Sequence, residues 1–299
     1  MPRFAANLTT MCRGQSLTAA CAAVRALGFR AAEILFPYDH PVAEVHDALA
    51  DAGLELLLVN TPPGDWSAGE RGLAALPGRE GDFEAAFAQA LDYARGLGAP
   101  MIHVMAGVVP AGVPRAECAD VFVANLRTAA RQAQTQGVRL LLEPLNGRDV
   151  PGYLHATAAE ARALIERIGA PNVGLQFDFY HLQITQGDLA AALAEHHDII
   201  GHVQFSSVPG RHEPQYGEVN LPFLFERLDA LGYAGWVGCE YTPKTGLEAG
   251  LAWGRAYGLG GLLAVSDTDA QVVDRAEPVV SDTDRQVLDR VGEEREGRG

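Results

Sequence analysis

The first 258 residues alternate between short apolar runs of strand character and longer alanine-rich stretches whose apolar residues recur at helical spacing. Glycines follow several of the helical stretches, as is typical of helix C-caps. The strand-plus-helix units average about 32 residues, which is the size of a βαβ repeat. Strands are predicted at 3–8, 31–36, 55–60, 101–106, 138–143, 173–178, 201–205 and 236–240, and helices at 17–27, 42–52, 83–97, 116–136, 158–168 and 221–231.

Regular alternation of strands and helices predicts an α/β fold with a parallel sheet. Eight units favour a closed (β/α)8 TIM barrel over a doubly wound sheet, which more often has five to seven strands and a phosphate-binding loop. The sequence has no GxGxxG after the first strand and no GxxxxGK[ST] anywhere. A nucleotide-binding fold therefore loses its best support.

The composition is that of a globular protein with a large core. The chain has 299 residues, of which 48% are hydrophobic and 20% charged. It contains no apolar stretch of about 20 residues and no apolar segment near its start, so we expect no membrane span and no secretory signal. Four scattered cysteines without a CxxC pair favour a reducing, cytoplasmic location and argue against a disulfide framework or a structural zinc site.

The net charge is −15, and no cluster of lysine and arginine offsets it. We therefore do not expect nucleic acid as a partner. The composition changes after residue 258, because 259–299 has ten acidic and five basic residues, no aromatic residue, and a near-repeat of 265–272 at 280–287. We predict a catalytic barrel at 1–258 and an acidic, disordered or weakly helical tail at 259–299, with a docking or oligomerisation segment as the alternative.

Four polar residues interrupt or close consecutive apolar strands, namely Glu143, Asp178, Gln204 and Glu240. They are one strand-plus-helix unit apart, and in a barrel the C-terminal strand ends surround a single cup. Each one alone is explained by a solvated strand end or a helix cap. Together, carboxylates held this close require a cation, and oxygen ligands favour Mg²⁺ or Mn²⁺ over zinc.

Further polar residues lie near these strand ends. His181 follows Asp178 by three residues, and Arg211 follows the seventh strand. The residue types suit a hydrogen bond from His181 to a reacting hydroxyl and an ion pair from Arg211 to a substrate carboxylate. His202 is expected inside the barrel as a hydrogen-bonded histidine, and roles for His103 and Glu33 stay open. The Gly- and Pro-rich loop 62–80 is either a lid over the cup or a structured excursion.

Residues 1–255 resemble the hydroxypyruvate isomerase family of the xylose-isomerase-like TIM barrels, most closely its 2-oxo-tetronate isomerase branch. Many short matches spread over the chain carry the resemblance. They include Phe4-Ala-Ala-Asn-Leu8, Phe36-Pro-Tyr38, Gly64-Asp-Trp66, Gly69-Glu-Arg-Gly72, Pro77-Gly-Arg-Glu80, Glu143-Pro-Leu-Asn146, Asp178-Phe-Tyr-His181, His212-Glu-Pro214 and Trp236-Val-Gly-Cys-Glu-Tyr241.

The resemblance implies a role for each site residue. Glu143, Asp178, Gln204 and Glu240 match the ligands of a divalent cation, Mg²⁺ or Mn²⁺. Glu143 and Glu240 also match the two glutamates that shuttle the proton. His181 and Arg211 match positions that contact substrate near the reacting carbonyls in related epimerases. Those epimerases have a histidine at the position of Gln204, so the metal here is expected to have oxygen ligands alone.

The implied activity is an intramolecular oxidoreductase that isomerises a small 2-oxo acid, hydroxypyruvate or 2-oxo-tetronate, through a metal-stabilised cis-enediolate. The alternative enzymes are a metal-dependent polyol dehydratase, a sugar epimerase and a nuclease of the same barrel type. A non-catalytic protein that binds a sugar acid is the alternative outside the enzymes. The nuclease needs a multi-histidine cluster and a basic groove, neither of which the sequence shows. We expect a homodimer or homotetramer with no membrane partner.

Overall fold

The computed structural model describes residues 1–260, and the predicted tail lies outside the described residues apart from Leu259 and Gly260. Eight parallel strands pair in chain order and close into a barrel, which confirms the predicted (β/α)8 fold. The closing pair runs in register from Arg3 opposite Trp236 to Ala6 opposite Cys239. The strands are β1 Arg3–Asn7, β2 Ala31–Glu33, β3 Glu55–Asn60, β4 Met101–His103, β5 Arg139–Leu142, β6 Val173–Asp178, β7 Ile200–Phe205 and β8 Trp236–Cys239.

Helices surround the barrel, and among residues 1–260 none combines the length and apolar content needed to cross a bilayer. They are α1 Leu8–Met11, α2 Leu17–Ala26, α3 Val42–Ala52, α4 Glu80–Leu97, α5 Arg115–Thr135, α6 Ala158–Ile168, α7 Phe179–Thr185, α8 Leu189–His196, α9 Leu221–Ala230 and α10 Leu247–Gly250, with 3₁₀ turns at Pro37–Asp39, Pro214–Tyr216 and Leu251–Tyr257.

Two features differ from the sequence-based elements. β2 and β4 are only three residues long, whereas the sequence predicts six in each case. The apolar runs continue beyond both strands, but there the backbone bonds to loop partners, as when Met105 N donates to the Thr61 hydroxyl. Two helices, α7 and α8, lie between β6 and β7, where the sequence analysis lists no helix. They are separate because Gly187 and Asp188 adopt positive φ and interrupt the helical backbone.

The barrel interior has an apolar layer and a polar layer. Side chains alternate between the inside and outside of each strand. A small buried cluster of Ala5, Ala31, Leu57, Leu58 and Leu141 is separate from the main core between barrel and helices. Nearer the C-terminal strand ends the inward side chains are polar and fully buried: Asn7, Glu33, Gln176, His202 and Gln204.

The seam where β1 meets β8 is covered by an aromatic cluster. The Phe4 ring lies 5.0 Å from those of Phe225, Trp253 and Tyr257, all in edge-to-face geometry. Packing continues past the expected boundary at residue 258, since Leu259 is buried and Gly260 N donates to Leu27 O. The last described residues are therefore part of the barrel.

Candidate active site

A cavity of about 550 Å³ opens at the C-terminal ends of the strands. Its position agrees with the general location of active sites in this fold. The walls come from the C-terminal ends of all eight strands and the segments that follow them. Residues that line it include Arg13, Trp66, Arg71, His103, Glu143, Asp149, Tyr180, His181, Arg211 and Glu240.

Glu143, Asp178 and His181 form the centre of the site. Each has a possible ligand atom within 4.8 Å of the others, and all three side chains are buried. Glu143 directly follows β5. Asp178 ends β6 and caps α7, because its Oδ1 accepts a hydrogen bond from Tyr180 N at 2.8 Å. This cap places His181 one helical turn beyond Asp178.

The buried carboxylates are electrostatically frustrated. Burial raises the pKa of Glu143 well above its usual range, and the nearby Glu240 and Asp178 raise it further. Burial raises the pKa of Asp178 to about 6 and that of Glu240 to about 8, against the opposing effect of Arg211. Glu143 Oε1 and Asp178 Oδ2 accept no hydrogen bond from any residue in 1–260. Two orphaned buried carboxylate oxygens fit a hard divalent cation.

His181 is fixed in one tautomer by Asn146. Both Asn146 N, at 3.1 Å, and Asn146 Nδ2, at 2.8 Å, point at His181 Nδ1. The amide orientation is set because Asn146 Oδ1 accepts from the main-chain nitrogens of Arg148 and Asp149. Burial, reinforced by Arg211, lowers the pKa of His181 well below its usual value, so the ring is neutral. Its proton is therefore on Nε2, 3.8 Å from Asp178 Oδ2.

The tautomer decides what His181 can do. A nitrogen that carries a proton cannot ligate a metal ion, and the other nitrogen is occupied by two donors. His181 therefore presents an N–H donor beside the carboxylates. A donor at this point suits a substrate oxygen.

Arg211 and Glu240 form an ion pair at one side of the cup. Arg211 Nη2 donates to Glu240 Oε1 at 2.8 Å and lies 4.0 Å from Asp178 Oδ2. The guanidinium also stacks over Tyr180, with its carbon 4.5 Å from the ring centre. Arg211 has a φ of 50°, a left-handed conformation that is costly for a non-glycine residue. The loop after β7 thus maintains backbone strain where it aims this cation at the carboxylates.

Gln204 lies deeper, in the polar layer of the barrel. Its Nε2 donates to Glu33 Oε2 at 2.8 Å, and its Oε1 accepts from Gln176 Nε2 at 2.5 Å. Glu33 also pairs with His202 Nε2 at 2.5 Å, so His202 is the hydrogen-bonded interior histidine expected from the sequence. Of the four predicted metal ligands, Glu143 and Asp178 are therefore adjacent, Glu240 is held by Arg211, and Gln204 is held by Glu33 and Gln176.

The comparisons with known proteins agree with the barrel fold. Residues 21–257 match the family model described as xylose isomerase-like TIM barrel. A 2-oxo-tetronate isomerase from Cupriavidus necator is 51% identical over 257 residues, covering 86% of this chain and 99% of the relative. The chain belongs to the hydroxypyruvate isomerase family of xylose isomerase-like TIM barrels.

Other similar proteins carry different names. The hydroxypyruvate isomerase of Escherichia coli is 41% identical and is covered completely. A crystal structure titled AP endonuclease, family 2, from Brucella melitensis is 44% identical with a TM-score of 0.84, over 86% of this chain and 99% of that one. The curated relatives are thus named as isomerases, and the solved structure shares their barrel.

The sequence analysis assigned no role to Asn146 or Arg71, and it left the role of His103 open. Asn146 is part of the quoted Glu143-Pro-Leu-Asn146 motif, but its bond to His181 depends on the packing of β5 against β6. His103 lines the cavity with Nδ1 3.3 Å from Glu143 Oε2, and burial lowers its pKa to about 3. Arg71 belongs to loop 62–80, which contacts the cavity and is held in place by its own hydrogen bonds.

Proposed function

We propose that this chain is a divalent-metal-dependent isomerase of a short 2-oxo-3-hydroxy acid. The substrate is 2-oxo-tetronate or hydroxypyruvate, and the four-carbon acid is placed first because the 51% identical relative is named for it. The reaction moves a proton between neighbouring carbons through a cis-enediolate. The observation that carries the proposal is the pair of orphaned carboxylate oxygens, on Glu143 and Asp178, beside the Nε2–H of His181.

Glu143, Asp178, Glu240 and Gln204 would hold the metal ion, Mg²⁺ or Mn²⁺. A divalent cation held there would supply Lewis-acid stabilisation of the negative charge that develops on the substrate. Burial and mutual repulsion disfavour the charged form of the carboxylates without a cation, and a bound cation would offset this penalty. Gln204 would join the set through its Oε1, which now accepts a hydrogen bond from Gln176 Nε2.

Glu143 and Glu240 transfer the proton between the two reacting carbons. Glu143 and Glu240 are on opposite sides of Asp178 in the barrel order and act as base and acid on the two carbons. Positioned proton transfer of this kind contributes typically 10²–10⁴-fold to the rate. Arg211 pairs with Glu240 and favours its ionised, proton-accepting form. His181 donates its Nε2 proton in a hydrogen bond to the substrate oxygen that gains negative charge.

Proton NMR in D₂O with Mg²⁺ or Mn²⁺ tests the proposal, using each oxo acid separately. We expect isomer formation with solvent deuterium at the reacting carbon, loss of both after EDTA, and loss in Glu240→Gln. Glu248→Gln is the matched control, since Glu248 is exposed on α10 away from the cavity. The faster acid identifies the substrate.

The same samples separate the other function classes. Loss of water from the product would indicate a dehydratase. Metal-dependent cleavage of an abasic-site duplex, without conversion of either acid, would favour an endonuclease, the activity for which the Brucella melitensis structure is named. Exchange and conversion that are absent with both acids would overturn the isomerase proposal.

A further inference from the structure

The rim of the cavity carries an arginine that the proposed mechanism does not use. Arg71 lies in the loop between β3 and α4 and lines the cavity together with Trp66. Its guanidinium carbon is 3.6 Å from the centre of the Trp66 ring. One terminal nitrogen, Nη1, donates to the main-chain oxygens of Trp66 at 3.1 Å and Glu70 at 2.7 Å. The stacked plane and the two bonds fix the orientation of this cation.

The loop that carries Arg71 is itself braced. Glu70 accepts hydrogen bonds from Arg79 Nη1 at 2.7 Å and from Asp65 N at 2.6 Å. Gly72, the residue after Arg71, adopts a φ of 121° and packs so closely that a Cβ there would lie 2.2 Å from Met105 O. The backbone on both sides of Arg71 is therefore held in position before any ligand binds.

The charge of Arg71 has no carboxylate partner in the part of the chain that the structure describes. Within residues 1–260, no Asp or Glu oxygen lies within 4.0 Å of it, although the chain has a net charge of −15. Arg211 differs, because Glu240 at 2.8 Å and Asp178 at 4.0 Å already compensate its charge. The remaining donors of Arg71, Nε and Nη2, form a fork suited to a planar carboxylate.

The electrostatics of the cup set the direction of an anionic ligand. Glu143, Asp178 and Glu240 make the floor acidic and repel a carboxylate, whereas Arg71 and Arg13 make the rim basic. An acid that presents its carbonyl and hydroxyl to the floor directs its carboxylate to the rim.

We propose that Arg71 binds the carboxylate of the substrate and thereby selects 2-oxo acids over neutral ketoses of the same length. The assignment deepens the proposed function and rests on it for the identity of the acid. The sequence analysis assigned the substrate carboxylate to Arg211. We assign it to Arg71 instead, because Arg211 is already bound to Glu240. Trp66 is the platform that holds the guanidinium plane.

Steady-state kinetics of the Mn²⁺-loaded protein tests the assignment with Arg71→Gln and Arg71→Lys. A hydrogen-bonded charge pair is worth enough that Arg71→Gln is expected to raise KM for the oxo acid about 10-fold to 100-fold. kcat is expected to stay within about threefold, since Arg71 does not touch the reacting carbons. Arg71→Lys is expected to fall between wild type and Arg71→Gln, because it keeps the charge and loses the fork.

Binding of a non-reacting pair of ligands separates charge recognition from catalysis. Calorimetry uses glycerate, the 2-hydroxy acid that lacks the reactive 2-oxo group, and its neutral counterpart glycerol. The affinity for glycerate is expected to fall about 10-fold to 100-fold in Arg71→Gln, while glycerol binds equally to both proteins. If neither oxo acid is converted by wild type, the proposed function fails, and glycerate binding still tests Arg71. Arg95→Gln is the matched control, since Arg95 is an exposed residue of α4 that lies 3.6 Å from Asp92 alone.

Three results would overturn the assignment. The first is KM and glycerate affinity within twofold of wild type in both Arg71 variants. The second is an equal loss of glycerol binding, which indicates a collapsed rim. The third is a rise in KM that appears in Arg13→Gln and is absent from Arg71→Gln, which gives the carboxylate to the other rim arginine.

Discussion

Asn146 presents two N–H donors to a single nitrogen of His181. Its main-chain N at 3.1 Å and its side-chain Nδ2 at 2.8 Å both meet Nδ1, so the proton of the neutral ring is on Nε2. An asparagine thus sets the chemical role of a histidine that it precedes by 35 residues. The pairing is an outer contact of the kind that orients active-site groups elsewhere.

Asn146→Asp is expected to reverse this tautomer. The substitution replaces the Nδ2 donor by an acceptor and leaves the main-chain donor, so the proton moves to Nδ1 and Nε2 becomes an acceptor. The loss of the donor predicts a fall in kcat of about 100-fold, within the range of a positioned proton donor. Long-range ¹H–¹⁵N NMR of the imidazole measures the tautomer directly.

Asn146→Ala is the contrasting variant. It removes Nδ2 but adds no acceptor, so the main-chain N–H keeps the tautomer and kcat is expected to fall less than about 10-fold. An unchanged imidazole spectrum in Asn146→Asp would contradict the assignment.

Metal binding is expected to stabilise the fold. A ligand present at 100 times its Kd adds about 2.7 kcal/mol, which for a domain of this size raises Tm by about 5–10 °C. Scanning calorimetry with and without Mn²⁺ measures the shift. In Asp178→Asn the shift is expected to disappear, whereas Asp51→Asn, at an exposed site on α3, retains it. A full shift in Asp178→Asn would remove Asp178 from the ligand set.

Glu33→Gln is expected to weaken metal binding from a distance. Glu33 is fully buried and accepts hydrogen bonds from Gln204 Nε2, at 2.8 Å, and Asn7 Nδ2, at 3.2 Å. Glu33 Oε2 accepts the Gln204 Nε2 hydrogen bond, so the Oε1 of the Gln204 amide points away from Glu33. Loss of an outer contact typically costs 10-fold to 100-fold in metal affinity, which Mn²⁺ titration followed by EPR measures.

The unfolding free energy of Glu33→Gln is expected to fall by about 1–3 kcal/mol, because His202 Nε2 loses its buried carboxylate partner. Unchanged Mn²⁺ affinity together with this destabilisation would show that Glu33 supports only the fold.

Gly238→Ala is expected to disrupt the polar layer. A Cβ at Gly238 would lie 2.2 Å from Glu33 Oε1, and Glu33 is fully buried and held by His202 and Gln204. Overpacking of this kind costs about 1–3 kcal/mol, measurable by urea unfolding. Gly81→Ala is the control, since Gly81 lies in α4 with nothing within 4 Å of a new Cβ, and it is expected to gain about 0.5–1 kcal/mol. Equal effects at the two glycines would contradict this packing.

Acid is expected to destabilise the protein through His155. Burial, aided by Arg115, lowers the pKa of His155 to about 3. The folded state therefore binds fewer protons than the unfolded chain, and the stability present above about pH 6.5 is lost as the pH falls towards 3. Between pH 7 and pH 5 this single group contributes a loss of about 2 kcal/mol.

His155→Phe tests the assignment, because the ring already lies between Phe122 and Tyr153, with centres 5.8 Å and 5.3 Å away. Urea unfolding at the two pH values is expected to show a smaller loss in this variant than in wild type. The exposed His46→Gln serves as the control. Parallel pH dependence in all three proteins would rule out His155 as the source.

The barrel was predictable because its signal is repeated eight times. Alternation of apolar strands and capped helices is local information, and the strand ends at Glu143, Asp178 and Glu240 follow from it. The paired helices α7 and α8 were not predicted, because the break depends on the positive φ of Gly187 and Asp188. Short strands such as β2 end where long-range partners take over their hydrogen bonds, which no local pattern encodes.

The chemistry of the site was predictable only in part for the same reason. Residue types at strand ends predict a group of carboxylates. The pairing of Arg211 with Glu240, the tautomer of His181 and the stacking of Arg71 on Trp66 are contacts between loops. Each depends on how two distant segments meet.

The carboxylate of Glu33 connects an early strand of the barrel with its last two strands. It belongs to the second strand to be synthesised, yet it orients Gln204, which follows it by 171 residues, and packs against Gly238 of the last strand. A chain that has emerged only as far as α7 already contains Glu143, Asp178 and His181, but lacks the partners that Glu33 has in β7 and β8. If the proposed metal site is correct, full affinity for the ion requires the completed ring, and uptake of the ion would report that the barrel has closed.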